Sequence, residues 1–185
     1  MAAAPLILVV GPSGAGKDTL MDEARRRLAD EPRIAFARRV VTREARPEAE
    51  DHDCLSPDQF DRAEAAGGFV LSWRAHGLAY GIPASVQELR RLGQAVVANV
   101  SRAVVDEARA RLRPVGVVVV TAPPTVLAER LAARGRESAD DVLLRLQRAA
   151  VPPPEGADVR VVVNDGSVSE GVEAFLAALR DLARG

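Results

Sequence analysis

Cysteine, lysine and aromatic residues are scarce in this chain of 185 residues, and no long hydrophobic run occurs. A single cysteine, Cys54, excludes an intrachain disulfide framework and any multi-cysteine metal site. Asp51 and Asp53 lie beside it and disfavour a thiolate, so a catalytic nucleophile is not expected there. The N-terminal apolar run, Pro5 to Val10, has no positive region before it and is too short for a signal peptide or a membrane span. A cytoplasmic protein with no membrane partner is expected. No charge of one sign dominates either: 25 basic residues face 26 acidic ones, which excludes a field-driven nucleic-acid partner. Only one of those basic residues is a lysine, Lys17, and the rest are arginine. The arginine excess reads as the coding bias of a GC-rich genome, and it leaves the one lysine to be explained.

What is present is an alternation of strands and helices. Four runs of Val, Ile, Leu and Ala have strand length: Leu6 to Val10, Gln94 to Val100, Val115 to Val120 and Val159 to Val163. They are nearly continuous, as a parallel sheet covered on both faces requires. A fifth strand is expected within Ile34 to Val41. Helical patterns cover Lys17 to Ala29, Ser101 to Leu112 and Pro124 to Arg134, and cap-then-acid spacing at Ser138/Asp141 and Ser167/Glu170 opens two more. The expected fold is α/β, doubly wound, with a mainly parallel five-stranded sheet. The length suits one domain. Its core would span 1–42 and 84–185, a more polar insertion about 43–83, and a lid about 134–141. The insertion holds the sole Trp and Tyr and both His, a helix start at Ser56-Pro57-Asp58-Gln59 and a short strand at Phe69 to Trp73.

Gly11-Pro12-Ser13-Gly14-Ala15-Gly16-Lys17 follows the first strand and runs straight into a helix. This is the G-x-x-x-x-G-K phosphate-binding loop of P-loop NTPases in its proper context. Glycines let backbone N–H groups curl around a phosphate, the helix N-terminus adds positive potential, and the lysine reaches the terminal phosphates. A bulky guanidinium fork would not replace it there, which accounts for a lysine in an arginine-rich chain. ATP is the expected ligand, held by Gly11 to Lys17 with Asp18 and Thr19. The Ser or Thr that usually follows the lysine is replaced by Asp18. The candidate strand ends, with Asn99 and Thr121, offer no acid, so Asp18 is the expected Mg²⁺ ligand. A second reading stays open, in which Asp18 is an acid favoured by the helix dipole.

Downstream lie Val41-Thr42-Arg43-Glu44-Ala45-Arg46, Glu50-Asp51-His52, Phe69-Val70-Leu71-Ser72-Trp73 and His76-Gly77-Leu78-Ala79-Tyr80-Gly81-Ile82-Pro83. Two arginines and a tyrosine near a phosphate loop suit a second, phosphorylated molecule, and equally a solvated surface. With LAERLAARGRES and RLQRA, these motifs resemble the guanylate-kinase-like nucleoside monophosphate kinase superfamily over nearly the whole chain. Guanylate kinases proper are expected to hold guanine with a Glu, a Tyr and a Thr or Ser where this sequence has Ser72, His52 and Ile82. Removing those polar partners costs guanine much of its affinity. Arg43, Arg46 and Tyr80 match the phosphate-holding positions.

The loop ending in GKD, with V-T-R, E-D-H and S-W-x-x-H-G-L-x-Y-G-I-P, is similar to the ribose 1,5-bisphosphate phosphokinase family. That resemblance implies conversion of ribose 1,5-bisphosphate and ATP into 5-phospho-α-D-ribose 1-diphosphate (PRPP) and ADP, in phosphonate use by the carbon–phosphorus lyase route. It implies an acceptor site of Arg43, Arg46, His52, Ser72, His76, Tyr80, Asn99 and Arg136. It also implies a catalytic set of Lys17, Asp18, Arg134 and Arg145, with Arg134 and Asn164 toward the nucleotide. Each lid arginine has the alternative of a solvated helix charge, Asn164 that of a turn residue, and His52 and His76 that of plain hydrogen bonding. Two rivals to this function remain: a guanylate or other nucleoside monophosphate kinase, and a non-catalytic binding module. The intact Gly14, Gly16 and Lys17 argue against the module. The sequence does not decide between monomer and homodimer.

Overall fold

The computed structural model describes residues 3–43, 52–133 and 152–184. Five strands form the central sheet: β1 (Leu6–Val10), β2 (Ile34–Phe36), β7 (Ala95–Asn99), β8 (Val115–Thr121) and β9 (Val159–Val163). Their order is β2-β7-β1-β8-β9, and every pairing is parallel. The helices are α1 (Lys17–Arg27), α2 (Pro57–Ala65), α3 (Val86–Arg91), α4 (Val105–Arg111), α5 (Pro124–Ala133) and α6 (Val168–Arg184). A 3-10 turn, Arg102–Val104, precedes α4. Among the described residues no helix is long and apolar enough to cross a membrane.

The continuity of the apolar strands follows from two covered faces. Ile7, Val9, Val97, Val118 and Val120 turn to one side, under Leu20 and Ala24 of α1 and Phe175 and Leu179 of α6. Leu6, Leu8, Val96, Val117 and Val119 turn to the other, against Val105 and Ala108 of α4. The expected strand within Ile34 to Val41 is two strands in two sheets. After β2 the Ala37 N–H still donates to the Val97 carbonyl (2.8 Å), and from Arg39 the chain pairs elsewhere. The break falls beside Arg38 and Arg39, where the pairing partner of the chain changes.

The second sheet runs β4-β3-β6-β5, with β3 (Arg39–Val41), β4 (His52–Cys54), β5 (Phe69–Ala75) and β6 (Leu78–Pro83). β5 and β6 form a hairpin whose two turn residues, His76 and Gly77, both have positive φ (52° and 73°), as a turn matching strand twist requires. Behind this sheet α2 packs Phe60 on Phe69 (ring centroids 4.6 Å) and beside Val40 and Ala79. The Ser56 hydroxyl accepts from the Gln59 N–H while the Gln59 side chain accepts from the Ser56 N–H, the start expected there. Ser167 and Glu170 make the same exchange at the start of α6, and the Ser167 hydroxyl, which donates to the Glu170 carboxylate (2.7 Å), followed by the Ser167 N–H, holds that carboxyl below the usual range. The Ser138/Asp141 start lies outside the described residues.

At the edge of the sheet away from the strand ends that carry function, Arg90 of α3 is 2% exposed. Its guanidinium donates to the carbonyls of Ala4 (2.8 Å), Leu112 (2.6 Å) and Pro114 (3.1 Å) and to the Gln87 side chain (2.7 Å). It thereby ties the residues before β1, after α4 and before β8. Burial pulls its pKa down, yet four acceptors keep the charge tolerable. Replacing it orphans buried carbonyls at about 1–3 kcal/mol each. Arg90→Leu is therefore expected to lose about 2–4 kcal/mol of stability, read as a lower urea midpoint, with Arg90→Lys losing less.

Candidate active site

The carboxyl ends of β1, β7, β8 and β9 lie side by side, the edge where open α/β sheets place ligands. The loop after β1 is built by close approach. A Cβ on Gly11 would stand 2.0 Å from the Val120 carbonyl oxygen, so only glycine lets β1 leave the sheet beside β8. Gly16, with φ of 86°, turns the loop into α1, and a Cβ there would meet the Asn164 amide at 2.5 Å. The Lys17 ammonium folds over the loop and donates to the carbonyls of Gly11 (2.8 Å) and Pro12 (2.9 Å). It stands where an incoming phosphate can exchange for those carbonyls.

Asp18 and Thr19 are exposed in the first turn of α1. One Asp18 oxygen accepts from the Asn99 amide at the end of β7 (3.1 Å). A carboxylate beside a phosphate loop fits Mg²⁺, which takes one or two carboxylates and fills its other positions with substrate phosphates and water. Among the described residues no cluster of three or more His, Cys, Asp or Glu offers a full protein cage. Asn164 follows β9 and is 7% exposed. Its amide donates to the buried Ala15 carbonyl (2.8 Å) and its N–H to the Thr121 carbonyl (2.7 Å). Asn164 therefore holds the phosphate loop from below, with its side-chain amide committed to the protein.

The second sheet faces this loop with alternate residues. Arg39 pairs with His52, and Val41 with Tyr80, which pairs in turn with Trp73. The Tyr80 and Trp73 rings stack at 5.4 Å. His52 is 7% exposed, and with Arg39, Asp18 and Asn99 it lines a cavity of about 80 Å³. Arg43, exposed, lies two residues past the end of β3. His76, at the hairpin tip, shares a cleft of about 660 Å³ with Gly11, Pro12, Ser13, Ser101 and Arg102. Ser72 is not brought to this face. It points behind the sheet, where its hydroxyl bonds Glu64 of α2 and, after the stronger contact from Arg74, holds that carboxyl below its usual range. Arg46, Arg134, Arg136, Arg145 and the lid at 134–141 lie outside the described residues.

A family model described as an AAA domain matches residues 7–149. A ribose 1,5-bisphosphate phosphokinase PhnN from Acidiphilium cryptum is 53% identical over 180 residues, covering 96% of this chain and 94% of that one. The chain belongs to the ribose 1,5-bisphosphate phosphokinase family. A second member, from Rhodopseudomonas palustris, is 55% identical over 150 residues, 81% of this chain and 77% of the relative. The fold is that of a P-loop kinase: a guanylate kinase from Anaplasma phagocytophilum superposes with a TM-score of 0.69 at 18% identity, covering 100% of this chain and 89% of that one.

For a ribose 1,5-bisphosphate phosphokinase family member, one residue at the nucleotide side escaped sequence reasoning. Arg130 of α5 has a buried Nη1 with no hydrogen-bond partner among the described residues, 3.9 Å from where a Cβ on Gly16 would be. A guanidinium nitrogen aimed at a phosphate loop is a candidate partner for nucleotide phosphate. The available signal was its spacing of four residues from Arg134 in the sequence. Below the loop, Asn164→Ala frees the Ala15 carbonyl and loosens Gly16. Binding of a fluorescent nucleoside triphosphate is expected to weaken about 5- to 10-fold, the loss of one buried hydrogen bond.

Proposed function

We propose that this protein transfers the γ-phosphoryl group of ATP to ribose 1,5-bisphosphate, giving 5-phospho-α-D-ribose 1-diphosphate and ADP. The relatives named above support the acceptor by name. One structural observation favours it over GMP. Ile82 is fully buried and Ser72 bonds Glu64 behind the sheet, so neither offers the acceptor a hydrogen bond. A guanine site without polar partners discriminates poorly.

The chemistry then rests on positioning and charge. An oxygen of the acceptor's 1-phosphate attacks the γ-phosphorus in line, and the bond to the β-phosphate oxygen of the leaving ADP breaks. The nucleophile is already an anion, so no general base is required. Lys17 exchanges loop carbonyls for phosphate oxygens and draws charge from the donor. Asp18 would hold Mg²⁺, which supplies charge neutralisation at the phosphates. Arg43, Arg46 and Tyr80 hold the acceptor, with His52, His76 and Asn99 around it. Arg134, Arg136 and Arg145, helped by Arg130, close over the phosphates and exclude water. We place the enzyme in the cytoplasm, where ATP is available, and within phosphonate use and PRPP supply.

ADP release with both acceptors tests the reading. Turnover with ribose 1,5-bisphosphate should exceed that with GMP by at least about 100-fold, and faster turnover with GMP would overturn it. Asp18→Ala should raise the Mg²⁺ concentration for half-maximal rate by about 10-fold while ATP affinity changes less, and an unchanged metal titration would refute the role of Asp18.

A further inference from the structure

The proposed acceptor carries two phosphates at opposite ends of a ribose. One must lie at the phosphate loop to be attacked. The other reaches a site about one sugar away, and it needs a cation of its own. Arg39 meets that need. It sits on the loop-facing side of the second sheet, half-buried, and lines the small cavity with Asp18, Asn99 and His52. Its guanidinium lies over the Tyr80 ring, 5.6 Å from the centroid, so the aromatic face fixes its plane.

Its neighbours are engaged and it is not. Arg38 pairs with Asp53 (3.0 Å), Asp18 accepts from Asn99, and Asp22 faces Arg25 (3.8 Å). Arg39 makes no hydrogen bond or ion pair among the described residues, although two carboxylates line the same cavity. A half-buried guanidinium has given up water without gaining an acceptor, which is the state of a group kept open for a ligand. The cavity, about 80 Å³, has the room of two or three waters, which suits a phosphate group and is too small for a purine.

We propose that Arg39 binds the acceptor's non-reacting phosphate and thereby selects a bisphosphorylated sugar over a monophosphorylated one. This rests on the acceptor assigned above. The test uses ribose 1,5-bisphosphate as substrate, and ribose 5-phosphate and ribose 1-phosphate as competing ligands, at saturating ATP. In Arg39→Gln the KM for the bisphosphate and the inhibition constant of ribose 5-phosphate should rise about 10- to 100-fold. The constant for ribose 1-phosphate should move less than about threefold, since that ligand lacks the group Arg39 holds. Arg39→Lys should fall between, because it keeps the charge without the fork, and it carries the same comparison if Arg39→Gln fails to fold. Equal shifts for both monophosphates, or none, overturn the role of Arg39 and leave the acceptor assignment standing. No wild-type turnover of the bisphosphate overturns both.

Discussion

The amide of Asn164 on the carbonyl of Ala15 is the contact on which the phosphate loop depends (2.8 Å). A loop that cradles an anion must turn its N–H groups inward and its carbonyls outward. An outward carbonyl that is buried needs a donor, and Ala15 is fully buried. Asn164 supplies that donor from the end of β9, while its own N–H is fixed by Thr121 at the end of β8. Close neighbours on both sides leave it little room: a Cβ on Gly16 or on Gly171 would each stand 2.5 Å from its side chain. The loop after β1, the ends of β8 and β9 and the start of α6 are thus set by one side chain.

The same logic of alternate faces decides what the second sheet offers. Residues of one parity, Arg39, Val41, His52, Tyr80 and Trp73, turn toward the phosphate loop. Those of the other parity, Val40, Ser72, Arg74 and Ala79, turn toward α2, where Arg74 reaches Glu64 (2.7 Å) and Asp61 (3.2 Å). A period-two element gives each residue one face only. The irregularity between Phe69 and Leu71 sets the phase for all of β5. It puts Leu71 and Trp73 in front and Ser72 behind.

This is where reading the sequence succeeds and fails. The four apolar runs and the loop between Gly11 and Lys17 were legible because each rests on local chemistry: continuous burial on two faces, and glycines before a helix. Two helix starts, at Ser56 and Ser167, were legible for the same reason. The split after Ala37 was not, because Arg38 and Arg39 carry no turn signal and only the change of pairing partner marks it. Ser72 was misplaced because its motif neighbours suggest the acceptor, while a bulge two positions away sets its face. Asn164 and Arg130 were missed as loop partners because their contacts, to Ala15 and beside Gly16, cross long stretches of chain. Spacing carries no trace of such contacts.

The arithmetic of charge acquires a physical sense from these contacts. Most of the described arginines are neutralised by acids, several of them on the surface: Arg27 by Glu173, Arg111 by Glu107, Arg160 by Asp181 and Arg180 by Glu31. Exposed pairs of this kind contribute at most about 1 kcal/mol each, and they cancel in the net charge. What matters for an anionic ligand is therefore the placement of the cations that no acid has claimed, and a balanced composition says nothing of that. Lys17 rests on two carbonyls of the loop that a phosphate can replace. An ammonium can follow a phosphoryl group as it moves, since its three donors sit on a flexible stem and favour no plane. A guanidinium holds a fixed plane and suits phosphates that stay where they bind. Under the proposed reaction Lys17 would serve the moving group, and Arg39 the acceptor phosphate that stays where it binds.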